Sequence, residues 1–294
     1  MAEEIKGEAK MLEEQKLEAL KMKAVHLREL TIREIAHLGS GHIGGSMSII
    51  EILTYLYYEA MNIDPSNPKK EDRDRFVCSK GHAGPAVYAT LADKGYFPLD
   101  WLSTLNQGGT NLPSHCDMNH TPGVDFTTGS LGQGASAAVG IALGQKIRHM
   151  DDAYTYLIVG DGESQEGEVW EAAETAAQFK LGNLIAFTDL NKKQLDGWTE
   201  DIMTMNNIDT RWLGFNWHVQ RIDGHDLLAI DDAVRKAKEV TDRPSMIICD
   251  TIKSKGFGPG ERTFGNHSMA FDEATGEKAI KELEARVAFE EAQK

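Results

Sequence analysis

The feature that most constrains this chain is a change of hydrophobic period that repeats along its second half. Short apolar runs at 154–159, 184–189, 217–222 and 246–251 read as strands, and the stretches 166–179 and 227–240 between them carry helical patterns. Strands rich in Val, Ile and Leu without polar alternation are covered on both faces, and a helix between successive strands implies parallel crossovers. The expected fold is α/β: a doubly wound, mainly parallel sheet flanked by helices. Ligands of such sheets bind beyond the carboxyl ends of the strands, so the residues there should carry the chemistry.

The first half supports the same layout. Leu17, Leu20, Ala24, Leu27, Thr31, Ile35 and Leu38 recur at three- and four-residue spacing, which predicts one amphipathic helix over 8–38. It breaks at Gly39-Ser40-Gly41. Residues 48–60 and 83–94 read as helices, 62–68 as a turn region and 75–78 as a strand. The stretch 105–129 is a long loop rich in Gly, Asn, Thr and Pro, a length that usually marks function or disorder. Small residues from Gly132 to Gly144 predict a helix packed closely on its neighbour, and 272–294 reads as a charged helix.

Composition excludes several function classes. With 46 acidic against 31 basic residues, the net charge of −15 argues against non-specific nucleic-acid binding, which needs a basic face. A bound anion must then be held by local devices: helix N-termini, backbone amides, histidines or a metal. No run of 18 apolar residues is present, so no membrane span is expected. The charged start, MAEEIKGEAKMLEEQK, lacks the apolar region of a signal peptide. Three separated cysteines, Cys78, Cys116 and Cys249, fit neither a disulfide scaffold nor a cysteine zinc site, and point to a cytoplasmic setting.

Two constellations carry chemistry. Gly160-Asp161-Gly162 follows one expected strand, and Asn191 follows the next, with about 28 residues between Gly162 and Asn191. A carboxylate and an amide oxygen at adjacent strand ends are hard ligands suited to Mg²⁺ that keeps positions free for phosphate. Four histidines lie beside glycines or in turn-rich loops: His42 in SGHIGGS, His82 in SKGHAGPA, His115 in PSHCD and His267 in FGNHS. Imidazole exchanges protons near neutral pH, and flanking glycines let it approach a ligand closely. His26, His37, His120, His149, His218 and His225 read instead as structural or surface residues. The string Gly129-Ser130-Leu131-Gly132-Gln133-Gly134 lacks the preceding strand of a dinucleotide loop.

The string GDGESQEGEVWEAAETAAQFKLGNLIAFTDLNKKQLDG resembles the thiamine diphosphate signature, and specifically that of transketolases. The resemblance implies that Asp161, Asn191 and the carbonyl of Lys193 hold Mg²⁺ (or Ca²⁺ or Mn²⁺) on the cofactor diphosphate, beside Gly160 and Gly162. It implies that Gly129, Ser130 and Leu131 wrap the cofactor rings and that Leu195 presses on the thiazolium. His82 and His267 would bridge diphosphate and substrate, His42 would contact the sugar hydroxyls, and His115 the donor's first hydroxyl. His42 or His267 would take the C3-hydroxyl proton. Glu166 and Glu171 resemble acidic residues of the family's subunit interface. Ile43 replaces the usual proline, and Ser114-His115-Cys116 stands where Gly-His-Pro is usual.

The resemblance runs from about residue 20 to about 270. It divides the chain into a helical extension, 1–20, a thiamine diphosphate-binding domain of the PP type, 21–270, and a C-terminal helix, 271–294, as a linker remnant. It covers only the first half of an ordinary transketolase. The family's second domain binds the pyrimidine, supplies an activating glutamate and carries arginines for sugar phosphate. A separate C-terminal transketolase subunit is therefore implied, in an α₂β₂ assembly. Together the two chains would transfer a two-carbon glycolaldehyde unit from a ketose phosphate to an aldose phosphate. The alternatives are a deoxyxylulose-phosphate synthase-like or keto-acid dehydrogenase subunit, and a non-catalytic cofactor-binding paralogue. The SGH and SKGH strings with His267 favour ketose transfer, and four placed proton-transfer groups argue against a binding-only role.

Overall fold

The apolar runs assemble into one parallel sheet of five strands: β1 (Arg75–Cys78), β2 (Thr155–Gly160), β3 (Leu184–Leu190), β4 (His218–Asp223) and β5 (Ser245–Asp250). Their order is β1-β2-β3-β5-β4, with every pairing parallel. The computed structural model describes the backbone of residues 2–293 and the side chains of 14–290, 292 and 293. Among the described residues, six longer helices accompany the sheet: α1 (Ala2–Leu38), α2 (Gly84–Lys94), α3 (Gln133–Ile147), α4 (Gly167–Gln178), α5 (Leu227–Glu239) and α6 (Glu273–Glu291).

Successive strand residues point to opposite faces, which divides the core in two. Val77, Leu157, Val159, Ala186, Met246 and Ile248 meet the small residues Ala135, Ala138, Ala142, Ala173 and Ala176 of α3 and α4. Phe76, Tyr156, Ile158, Ile185, Phe187 and Ile247 face α2, α5 and the segment 43–60. Helix α1 lies outside this second layer, burying Leu27, Ile32 and Ile35 completely. Each such side chain is worth about 1.5–3 kcal/mol of burial. The expected stripe holds: Ala24 and Thr31 are also buried, and Leu17, Leu20 and Leu38 pack at its edge. Helix α6 seats Ala279, Ile280 and Leu283 against α1. Among the described residues, no helix is long and apolar enough to cross a membrane.

Two departures from the sequence reading shape the site. The stretch 48–60 is not one helix but part of three short turns, Ile43–Met47, Ile50–Tyr55 and the π-turn Leu56–Ala60. The interruption coincides with Ser48, whose hydroxyl donates to the buried carboxylate of Asp189 at 2.7 Å. A two-residue antiparallel ribbon also joins Ser40–Gly41 to Met269–Ala270. It fixes two distant loops side by side, so His42 and His267 are brought together.

Candidate active site

The carboxyl ends of β1, β2, β3 and β5 deliver the polar groups. His82 lies in the turn Gly81–Ala83 after β1, Asp161 directly after β2, Asn191 directly after β3, and Lys253 shortly after β5. They line a cavity of about 320 Å³ together with His42, His115 and His267. Ring centroids of His42 lie 5.8 Å from His82, 5.3 Å from His115 and 5.4 Å from His267, and His82 lies 4.7 Å from His267. Gly45 permits this crowding, because a Cβ there would stand 2.9 Å from His82 Nε2.

Burial sets the protonation of these rings. His82 is held well below the ordinary imidazole range by burial and by the nearby Lys80 charge. Burial, then Lys253, lower His267 to about 3. Burial also lowers His42 and His115. The four rings are therefore neutral at pH 7, each able to accept one hydrogen bond and donate another.

Beneath them sits a buried charge network that sequence reasoning missed. Lys80 is 1% exposed; its ammonium donates to Asp189 Oδ2 and, at 2.8 Å, to the Gly45 carbonyl. Asp189, fully buried, also accepts from the Ser48 and Thr251 hydroxyls and from Asn191 Nδ2. Burial alone would raise its carboxyl, but Lys80 and these donors hold it below the ordinary value. Asp189 thereby fixes the amide of Asn191, leaving Asn191 Oδ1 to accept from Lys193 N at 3.1 Å. Glu163 ties the loops together, accepting from Gly160 N and Gly132 N, each at 2.9 Å, and from the Ser79 hydroxyl. Lys80 lies two residues before His82 in the SKGH string, but Lys253 carries no local signal; only the fold brings it here.

The arrangement fits a diphosphate-bound divalent cation. Asp161 is 3% exposed and accepts from Gly162 N at 2.7 Å and from Lys192 N. Burial, then the Asp189 charge, push its carboxyl up to about 6, the environment of a carboxylate that lacks a full positive partner. Lys253 Nζ donates to the Lys193 carbonyl at 2.8 Å and lies 3.2 Å from His267 Nδ1. A positive group therefore already rests on that carbonyl. A carboxylate, an amide oxygen and a peptide carbonyl form an all-oxygen set suited to Mg²⁺ or Ca²⁺.

Most residues singled out in the sequence line this cavity: Gly129, Leu131, Gly160, Asp161, Gly162, Asn191, Lys193 and Leu195 join the four histidines. Glu166 reaches its edge, and Glu171 lies exposed on α4. Ser130 does not line it; its carbonyl accepts from Gln133 N at the start of α3. A larger cleft of about 700 Å³ also reaches Asp161, past Trp198, Met205 and Arg221, but it contains none of the four histidines. The exposed side chains of Leu131, Leu195, Trp198, Met203 and Phe264 lie on or next to the segments that frame the histidine cavity. Lys193 Nζ is held 4.9 Å from the Trp198 ring and 5.4 Å from Phe264.

Comparison with known proteins shows the family. Residues 20–294 match the family model for the transketolase thiamine diphosphate binding domain. The chain is 53% identical to the 6-deoxy-6-sulfo-D-fructose transketolase subunit SqwG of Clostridium sp. (strain MSTE9), over 84% of this chain and 90% of that protein. It is 37% identical to an apulose-4-phosphate transketolase subunit of Phocaeicola vulgatus, over 84% and 88%. The transketolase of Pichia stipitis, solved in complex with sedoheptulose-7-phosphate, superposes with a TM-score of 0.84 at 34% identity. That match covers 89% of this chain but 40% of the Pichia chain. The chain belongs to the transketolase family, through its thiamine diphosphate-binding domain.

Proposed function

We propose that this chain is the diphosphate-binding subunit of a two-chain transketolase that passes a glycolaldehyde unit from a ketose to an aldose. The observation that carries it is the convergence of Asp161, Asn191 and the Lys193 carbonyl with four neutral histidines around one cavity. When bound, thiamine diphosphate supplies the electron sink that lets the C2–C3 bond of a ketose break. Asp161, Asn191 and Lys193 would hold its metal, with Lys253, His82 and His267 around the diphosphate. Gly129 and Leu131 would flank the rings, and Leu195 would close over the thiazolium. The His42 ring centroid lies 5.3 Å from that of His115 and 5.4 Å from that of His267. A sugar bound there would find in His42 or His267 an acceptor for its C3-hydroxyl proton, and in His115 a donor to its terminal hydroxyl.

The partner follows from what this chain leaves open. It spans 40% of the Pichia enzyme, and the two relatives above are named as subunits. The apolar residues Leu131, Leu195, Trp198, Met203 and Phe264 beside the cavity suit burial against a second polypeptide that covers the cofactor's pyrimidine. Glu166, at the cavity edge, and Glu171, exposed on α4, would meet a second copy of this chain, giving α₂β₂. The donor would be a ketose ending in a phosphate or sulfonate, the groups named for the two relatives. Three buried free thiols suit the cytoplasm.

The test is co-expression with the polypeptide encoded beside it. Purified complex should release the shortened aldose from a ketose phosphate or 6-deoxy-6-sulfo-fructose only with Mg²⁺ and thiamine diphosphate, and beyond one equivalent per site only when an aldose acceptor is present. A complex that forms but never transfers the two-carbon unit to any aldose would overturn the reading.

A further inference from the structure

The turn 252–255 presents Lys253 to the cavity in an unfavourable backbone shape. Lys255 N donates to the Ile252 carbonyl at 3.1 Å, and Ser254 adopts φ +67°, the left-handed region that side chains disfavour. Such a conformation persists only where the surroundings over-determine it. Here a closed circuit of buried and partly buried side chains does so. At one end, Ile252 N donates to His225 Nε2 at 2.9 Å. Because Nε2 accepts, the proton of the neutral ring sits on Nδ1, which donates to Glu51 Oε2 at 3.0 Å. Glu51 also receives Arg28 Nη2 at 2.8 Å, and Arg28 Nε donates to the Lys255 carbonyl, the other end of the turn, at 3.0 Å. Arg28 is 4% exposed and Glu51 8%. None of the three lines the cavity.

We propose that Arg28, Glu51 and His225 are positioning residues that clamp both ends of the 252–255 turn and so hold Lys253 against the Lys193 carbonyl and His267. The inference deepens the proposed function and rests on it, since Lys253 matters there for the diphosphate and its metal. Glu51 is suited to the role. Its burial would raise the carboxyl, but the Arg28 charge and the His225 hydrogen bond hold it down at about 2, so the clamp carries a full negative charge at its centre. His225 reads in the sequence as structural; only its two hydrogen-bond partners mark it out.

The experiment compares wild type, His225→Ala, His225→Gln, Lys253→Ala and the His225→Ala/Lys253→Ala pair in the two-chain complex. Thiamine diphosphate is titrated calorimetrically in Mg²⁺, and amide exchange at Ile252 is followed in this chain without cofactor. Outer residues that orient ligand-holding groups change affinity by about 10–100-fold. His225→Ala should weaken cofactor binding by about that factor and speed exchange at Ile252. His225→Gln, whose amide oxygen can accept from Ile252 N, should recover most of the loss. In the Lys253→Ala background, His225→Ala should add less than about twofold, because contacting or serially linked residues are not additive. Losses that multiply in the pair, or a His225→Ala complex with wild-type affinity, would overturn the clamp. If His225→Ala does not fold, Glu51→Gln takes its place in the same cycle and is judged by the same two outcomes. Wild-type complex that binds no thiamine diphosphate would overturn the functional reading instead, and exchange at Ile252 would still decide the clamp.

Discussion

Replacing Lys80 by Met should cost this chain more stability than almost any other single change near the site. The ammonium and Asp189 are 1% and 0% exposed, so neither has water to fall back on. In hydrogen-bond contact, at an effective dielectric of about 20, two unit charges attract by roughly 5–6 kcal/mol. Lys80→Met leaves the Asp189 carboxylate with only neutral donors, the Ser48 and Thr251 hydroxyls and Asn191 Nδ2. Stranding one member of a buried pair typically costs about 3–5 kcal/mol, and that is the expected loss at pH 7.5. Asp189→Asn should cost a similar amount, because the Lys80 ammonium would be left with neutral acceptors such as the Gly45 carbonyl. The double variant should be closer to wild type than either single one. The sign with pH is fixed as well. Lys80 and its companions hold Asp189 below its ordinary value, so the pair stabilises the chain above about pH 4 and is lost below. In Lys80→Met that carboxyl takes up a proton at higher pH, so the penalty should shrink as pH falls from 7.5 toward 4. Urea denaturation of the four proteins measures all of this. Single losses under about 1 kcal/mol, or additive losses in the double variant, would refute the argument.

Three further outcomes follow from the same geometry. Asp161→Asn should abolish Mg²⁺-dependent thiamine diphosphate binding. Burial, then Asp189, raise Asp161 to about 6, so its ionisation opposes folding by about 3 kcal/mol in full. In Mg²⁺-free buffer the stability of Asp161→Asn relative to wild type should therefore improve by about 2 kcal/mol between pH 4.5 and 7.5, read by urea denaturation. Gly44→Ala would place a Cβ 2.1 Å from the Asn266 carbonyl and 3.0 Å from Lys253 Cε, so it should destabilise by about 1–3 kcal/mol and weaken cofactor binding, measured by thermal melting and calorimetry. Trp198→Ala with Phe264→Ala should weaken capture of the partner chain by about 10–100-fold in surface plasmon resonance, with this chain's melting temperature nearly unchanged.

The parallel sheet was legible because its central strands β2, β3 and β5 are buried on both faces and read as apolar runs, whereas the edge strand β4, HVQRID, is only half-buried. The 75–78 run is β1 itself, β3 is one residue longer than expected, and the other three shift by a residue. That Asp161 and Asn191, the proposed metal ligands, reach one cavity was legible because a glycine-flanked aspartate and an asparagine end successive strands. What escaped was non-local. The ribbon joining Ser40–Gly41 to Met269–Ala270 has no pattern of its own. Short helices at Thr199–Met203 and Ile208–Gly214 are too brief to set a period. Lys80, Asp189 and Lys253 look like ordinary charges until the fold buries them together. His225 differs from the surface histidines only through Glu51 and Ile252, far away in sequence.

The most direct test of the central claim is a calorimetric titration of thiamine diphosphate with Mg²⁺ into this chain, into its partner, and into the two mixed. Tight binding is expected only in the mixture, with a stoichiometry of one cofactor per pair of unlike chains. Tight binding to this chain alone, or none in any sample, would contradict it.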